Sequence, residues 1–143
     1  MSSRAAPRLQ QLQRHLGAPE GSDMETPSSP VTTHVLDTAS GLPAQGLCVS
    51  LSRLEVEGHR QQWLELRTSH TDTDGRCPGL LEPGQMRAGV YKLTFDTEAY
   101  WRRKGQESFY PQVEVVFTVT DKMRKLHVPL LLSPWSYTTY RGS

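Results

Sequence analysis

The sequence predicts an all-β domain, an antiparallel sandwich carrying one short helix. Three observations predict it: an apolar period of two in several short runs, explicit turn residues between them, and a single segment with helix caps. Val113, Val115, Phe117 and Val119 alternate with polar or outward positions between Gln112 and Thr120. Leu126, Val128, Leu130 and Leu132 alternate with Lys125, His127 and Pro129. Leu47, Val49 and Leu51 alternate with Cys48, Ser50 and Ser52, and Leu64 and Leu66 with Trp63, Glu65 and Arg67. The turns are Ser40-Gly41-Leu42-Pro43, Asp74-Gly75 and Glu82-Pro83-Gly84. The helix is expected over residues 97–104. Asp96 supplies its N-cap, Phe95 can staple onto Tyr100, Arg102 to Lys104 suit its negative end, and Gly105 its C′ position.

The 143 residues divide into three segments. From Gly17 to Pro30, 8 of 14 residues are Gly, Pro or Ser, too few apolar groups to offset the entropy of ordering. This is the expected linker (17–30), leaving 31–143 as the folded domain and 1–16 as an amino-terminal segment. In that segment Arg8-Leu9, then five residues, then His15-Leu16 is similar to the bipartite peroxisomal targeting signal, a helix read by an import receptor. The formal charge of +1, with no block of like charge, excludes strong electrostatic attraction to nucleic acid or membrane. No apolar run approaches the roughly 18 residues of a membrane span. Cys48 and Cys77 are too few for a disulfide scaffold and lack metal-ligand spacing, so reduced thiols in an intracellular protein are expected. No zinc pattern, GxSxG elbow or phosphate loop is present.

Alternation also assigns faces. If Val35 points into the core, His34 points outward, and His127 likewise lies opposite Leu126 and Val128. Either histidine alone reads as a solvated surface residue; two on one outer face single it out. Arg76 follows the Asp74-Gly75 turn at a strand start, and neighbouring Cys77 reads as a buried structural thiol rather than a nucleophile. Trp63, Trp101 and Trp135 read as core or interface. His59 and His70 carry no assignment. The aromatic stretch from Ser133 to Tyr140 runs straight into Arg141-Gly142-Ser143, so a docked rather than frayed end is expected.

Thr33-His34-Val35-Leu36-Asp37, Gly41-Leu42-Pro43-Ala44, Gly75-Arg76-Cys77-Pro78, Leu130-Leu131-Leu132-Ser133-Pro134 and Tyr140-Arg141-Gly142-Ser143 together resemble the hydroxyisourate hydrolase branch of the transthyretin-like family. The resemblance covers Val31 to Ser143. It implies a transthyretin-like antiparallel sandwich of about eight strands. It also implies hydrolysis of 5-hydroxyisourate to 2-oxo-4-hydroxy-4-carboxy-5-ureidoimidazoline in urate degradation, without metal or cofactor. The implied assembly is a homotetramer, a dimer of dimers whose outer faces enclose a channel lined by His34 and His127. The implied site residues are His34, Arg76, His127 and Ser143, with Tyr140, Arg141 and Gly142 binding substrate. The rival implied by the same scaffold is a transthyretin-type carrier holding a small aromatic ligand in the channel.

On this resemblance His127 is expected to be the general base for water, since imidazole titrates near operating pH. His34 is expected to bind substrate and deliver the proton to the leaving ring nitrogen, though the two roles are exchangeable. Arg76 suits the developing oxyanion because it stays charged and presents a planar fork. Tyr140 orients the ring, and Ser143 with its terminal carboxylate orients a histidine. A short carboxy-terminal tag should then depress turnover, and an unimpaired tagged enzyme would remove the idea of a docked end.

Overall fold

The computed structural model describes residues 29–142 of the chain. The segment with Arg8, Leu9, His15 and Leu16, most of the expected linker, and Ser143 lie outside the described residues. Eight strands and one helix follow in order among the described residues: β1 (Val31–Asp37), β2 (Leu42–Pro43), β3 (Cys48–Glu57), β4 (Arg60–His70), β5 (Gly89–Phe95), α1 (Thr97–Arg103), β6 (Val113–Val119), β7 (Leu126–Leu132) and β8 (Tyr137–Thr139). They form two four-stranded sheets, β2-β1-β7-β8 and β4-β3-β5-β6. Val31, Val35 and Leu130 of the first and Val49, Leu51, Leu93 and Phe95 of the second are fully buried between the layers. The expected sandwich with one short helix is the fold observed.

One pair departs from the antiparallel expectation. β1 and β7 run parallel through seven residues, from Val31 opposite Leu126 to Asp37 opposite Leu132. Hairpin-linked neighbours such as β3 and β4, or β7 and β8, are antiparallel. β1 and β7 are instead separated by the whole second sheet, a crossover long enough to return the chain in the same direction. Alternation of side chains is the same in both arrangements and does not distinguish them.

Two smaller corrections concern boundaries and faces. Ser29 and Pro30, expected in the linker, belong to the folded unit: the Ser29 hydroxyl accepts from Leu81 N at 2.9 Å, and the Pro30 carbonyl from Leu126 N at 2.8 Å. In β4, Leu66 packs against the core, but Leu64 is 44% exposed. A register irregularity between Leu51 and Ser52 skips Leu66, and beyond it this edge strand projects past the core.

The helix forms where its caps predict. The Asp96 carboxylate accepts from Ala99 N at 3.2 Å, Glu98 pairs with Arg102 at 2.7 Å, and Gly105 takes φ +72° just past the end. Tyr100 and Trp101 are buried against the sheets. The Tyr100 hydroxyl donates to Asp37 Oδ2 at 2.7 Å, and Ser40 N donates to Oδ1 at 3.0 Å. The buried Asp37 carboxylate thus ties α1 to the end of β1. Removing one donor leaves a buried acceptor short of a partner, so Tyr100→Phe should destabilise the domain by about 2 kcal/mol, measured by urea denaturation.

Candidate active site

The two central strands of the first sheet carry the histidines. Parallel register sets Thr32 opposite His127 and His34 opposite Pro129, so all four lie on the face turned away from the core. Sequence alternation assigns this outer face correctly, but the expected exposure does not follow. His34 is only 7% and His127 only 6% exposed in the single chain. Two further segments pair beside these strands, each through a single antiparallel bridge: Arg76 to His34, and Gly142 to His127, the latter continuing the β7–β8 register.

The first is a tight loop over residues 72–76. Asp72 N donates to the Arg76 carbonyl at 2.8 Å, and Gly75 N to the Asp72 carbonyl at 3.0 Å. The Asp72 carboxylate accepts from Asp74 N at 2.9 Å and Arg76 N at 3.0 Å. Val35 N then donates to the Gly75 carbonyl at 2.8 Å, fastening the loop to β1 beside His34. Gly75 has φ +75°, and a Cβ there would collide with the Val35 carbonyl oxygen. The loop therefore places Arg76 at the site and turns Cys77 into the core, where the thiol is 2% exposed. Burial pushes that thiol up from its ordinary range, the opposite of what a nucleophile needs.

The second is the stretch after β8, which continues alongside β7. Thr139 donates from its hydroxyl to the Pro129 carbonyl at 2.7 Å, Tyr140 is half-buried, and Gly142 N donates to the His127 carbonyl at 2.8 Å. A Cβ on Gly142 would lie 2.7 Å from His127 Cδ2 and 3.2 Å from Cγ, so only glycine lets the backbone lie this close to the ring. Arg141 is exposed, and Ser143 is outside the described residues. On the other side of the same ring, Thr32 Oγ1 is hydrogen-bonded to His127 Nδ1 at 2.7 Å.

Burial governs the electrostatics. The His34 imidazole is lowered from 6.5 to about 4, first by desolvation and then by the Arg76 guanidinium, with His127 adding to the effect. A backbone hydrogen bond to Asp74 and the Asp72 carboxylate oppose it without prevailing. His34 is therefore neutral at physiological pH, and Arg76 supplies the fixed positive charge beside it. Since the unfolded chain protonates this ring near 6.5 and the folded one near 4, His34 lowers folding stability as pH falls through that window. Among the described residues no group of three or more His, Cys, Asp or Glu side chains is arranged to hold a metal ion.

His34, Arg76, His127 and Gly142 are thus brought together, with Tyr140 one residue past the β8 edge. Sequence reasoning passed over Thr32 and Asp72. Thr32 was legible in principle, being two residues before His34 on the same strand face. Asp72 was hidden because the turn was read only from Asp74-Gly75.

Two substitutions test these segments. Gly142→Ala should displace the His127 ring and lower kcat on the order of 100-fold, with an unchanged fold by circular dichroism. Asp72→Ala should loosen the loop and lower kcat at least tenfold in steady-state assays, whereas Asp72→Asn, which keeps an acceptor oxygen, should retain most activity.

Residues 31–142 match the HIUase/Transthyretin family. The chain is 73% identical over 120 residues to 5-hydroxyisourate hydrolase of Mus musculus, an alignment covering 84% of this chain and all of that protein. Among solved structures, sea bream transthyretin in complex with thyroxine superposes with a TM-score of 0.74 at 36% identity, covering 80% of this chain and 96% of that one. Klebsiella pneumoniae 5-hydroxyisourate hydrolase superposes with a TM-score of 0.65 at 36% identity, covering 79% and 98%. Sheet order, family match and relatives agree: the chain belongs to the HIUase/transthyretin family.

Proposed function

We infer that this chain hydrolyses 5-hydroxyisourate to 2-oxo-4-hydroxy-4-carboxy-5-ureidoimidazoline in urate degradation. The fold is common to a thyroxine-binding transthyretin and to a hydrolase, so the scaffold alone does not choose between carrier and enzyme. The observation that carries the choice is the convergence of two buried histidines and an arginine on one sheet face. An apolar ligand gains nothing from the half-buried Arg76 beside the histidines and would strip water from its charge. A purine-like substrate with carbonyl oxygens and acidic ring nitrogens uses every one of these groups.

The reaction is the addition of water to a cyclic amide carbonyl, followed by cleavage of the C–N bond. His127 takes a proton from water as its oxygen bonds to the carbonyl carbon. Arg76 holds the oxyanion that develops there. The proton taken from water then passes to the leaving nitrogen, and the ring opens to a carboxylic acid, still part of the same molecule, that gives its remaining proton to solvent. The part given to His34 changes from the sequence-based expectation. Held near pKa 4, the ring is neutral at physiological pH and is hydrogen-bonded to the Asp74 backbone, so it holds no extra proton for the leaving nitrogen. His34 therefore helps bind substrate as a neutral ring, and His127 handles the proton in both steps. Tyr140 orients the ring from the chain end, and the backbone from Tyr140 to Gly142 walls the site.

The assembly we propose is a homotetramer. β6 and β8 are free edges of the two sheets, suited to strand pairing between copies, and Leu42 and Trp135 expose apolar surface at the rims of the site-bearing sheet. Packing two such faces together would close the histidine-lined surface into a channel. The motif Arg8-Leu9 … His15-Leu16 supports peroxisomal import through a receptor, testable by fusing residues 1–30 to a fluorescent protein.

The deciding experiment generates 5-hydroxyisourate in the cuvette with urate oxidase and follows its ultraviolet decay. Wild-type protein should accelerate the decay, and Arg76→Glu and His127→Asn should each lose at least 100-fold in rate while keeping the fold. Decay at the spontaneous rate with folded wild-type protein would overturn the hydrolase reading and favour the carrier.

A further inference from the structure

We propose that Thr32 is a positioning residue for His127: its hydroxyl oxygen accepts the Nδ1 proton and so directs the Nε2 lone pair toward water. The proposal rests on the hydrolase reading for its kinetic part and on geometry for the rest. Strand register makes Thr32 the direct cross-strand partner of His127, and Oγ1 stands 2.7 Å from Nδ1. The neighbouring threonine provides an internal comparison. Thr33 points to the core, where its hydroxyl donates to the Val128 carbonyl at 2.6 Å and supports the sheet. Thr32 points to the opposite face, two residues from His34, and its hydroxyl meets a ring rather than the backbone.

The chemistry of the bond suits a histidine that carries one proton through two steps. With Nδ1–H donating to the hydroxyl oxygen, Nε2 is the basic atom. When Nε2 takes the proton of water, the water O–H bond breaks and its oxygen bonds to the carbonyl carbon. The resulting imidazolium still donates from Nδ1 to the same oxygen, so the ring keeps its orientation while charged. When the C–N bond breaks, the Nε2 proton goes to the leaving nitrogen and His127 returns to its starting tautomer. His127 thus gains and loses nothing over the cycle. A valine in place of Thr32 has nearly the same shape but offers no acceptor, and neutral imidazole is then free to place its proton on Nε2.

The test compares wild type, Thr32→Val and Thr32→Ser by nitrogen-15 multiple-bond correlation spectra of His127 and by steady-state kinetics. Wild type should show the Nδ1–H tautomer. Thr32→Val should shift His127 toward Nε2–H, lower kcat at least tenfold and leave KM within about twofold. Thr32→Ser, which restores the hydroxyl, should recover both tautomer and kcat. A Thr32→Val protein with the wild-type tautomer would overturn the proposal whether or not the protein proves to be a hydrolase. So would a Thr32→Val protein with wild-type kcat, or a kcat loss that serine does not rescue. If wild type itself fails to accelerate hydroxyisourate decay, the hydrolase reading fails while the tautomer comparison still decides whether Thr32 positions the ring.

Discussion

The parallel pairing of β1 with β7 is the constraint on which the site depends. Seven consecutive residue pairs fix the two strands side by side in the middle of their sheet. One face of that pair is Val31, Thr33 and Val35 with Leu126, Val128 and Leu130, which faces the core. The other is Thr32 and His34 with His127 and Pro129. A slip of one residue would send the histidines into the core and the valines outward, so burial of the apolar set enforces the placement of the polar set. The Thr32–His127 hydrogen bond exists only in this register.

Two pieces of backbone complete what the strands begin. The 72–76 loop and the stretch after β8 each pair beside one histidine, and each approach requires a glycine, Gly75 against the Val35 carbonyl and Gly142 against the His127 ring. Both histidines are buried there in the single chain. Within that shelter an arginine charge acts more strongly than it would in water, and a neighbouring imidazole stays neutral. The arrangement suits the hydrolysis proposed above, which needs a proton acceptor and a cation near the reacting carbonyl.

The strands were legible in the sequence because Val113 to Val119 and Leu126 to Leu132 carry a clean period of two, and the helix because Asp96 and Gly105 bracket it. The parallel direction of β1 and β7 was not, since parallel and antiparallel strands bury the same alternate residues. His34, Arg76 and His127 could be picked out, but their shielding could not. The loop paired beside His34 comes from residues some forty positions away, and alternation describes a strand's two faces without saying what packs around them. The same gap leaves the His34 desolvation, which keeps that ring neutral beside Arg76, out of reach of the sequence. Thr32 shows a signal that was present and unused, a hydroxyl on the histidine face at a spacing of two.

The central claim is that burial within the single chain desolvates His34 and holds it neutral beside Arg76. It is tested most directly by following the His34 side chain through a pH titration by nuclear magnetic resonance, assigned with His34→Gln. The structure predicts a midpoint of about 4. A midpoint at the ordinary imidazole value of about 6.5 would mean that water reaches the ring freely, and would contradict it.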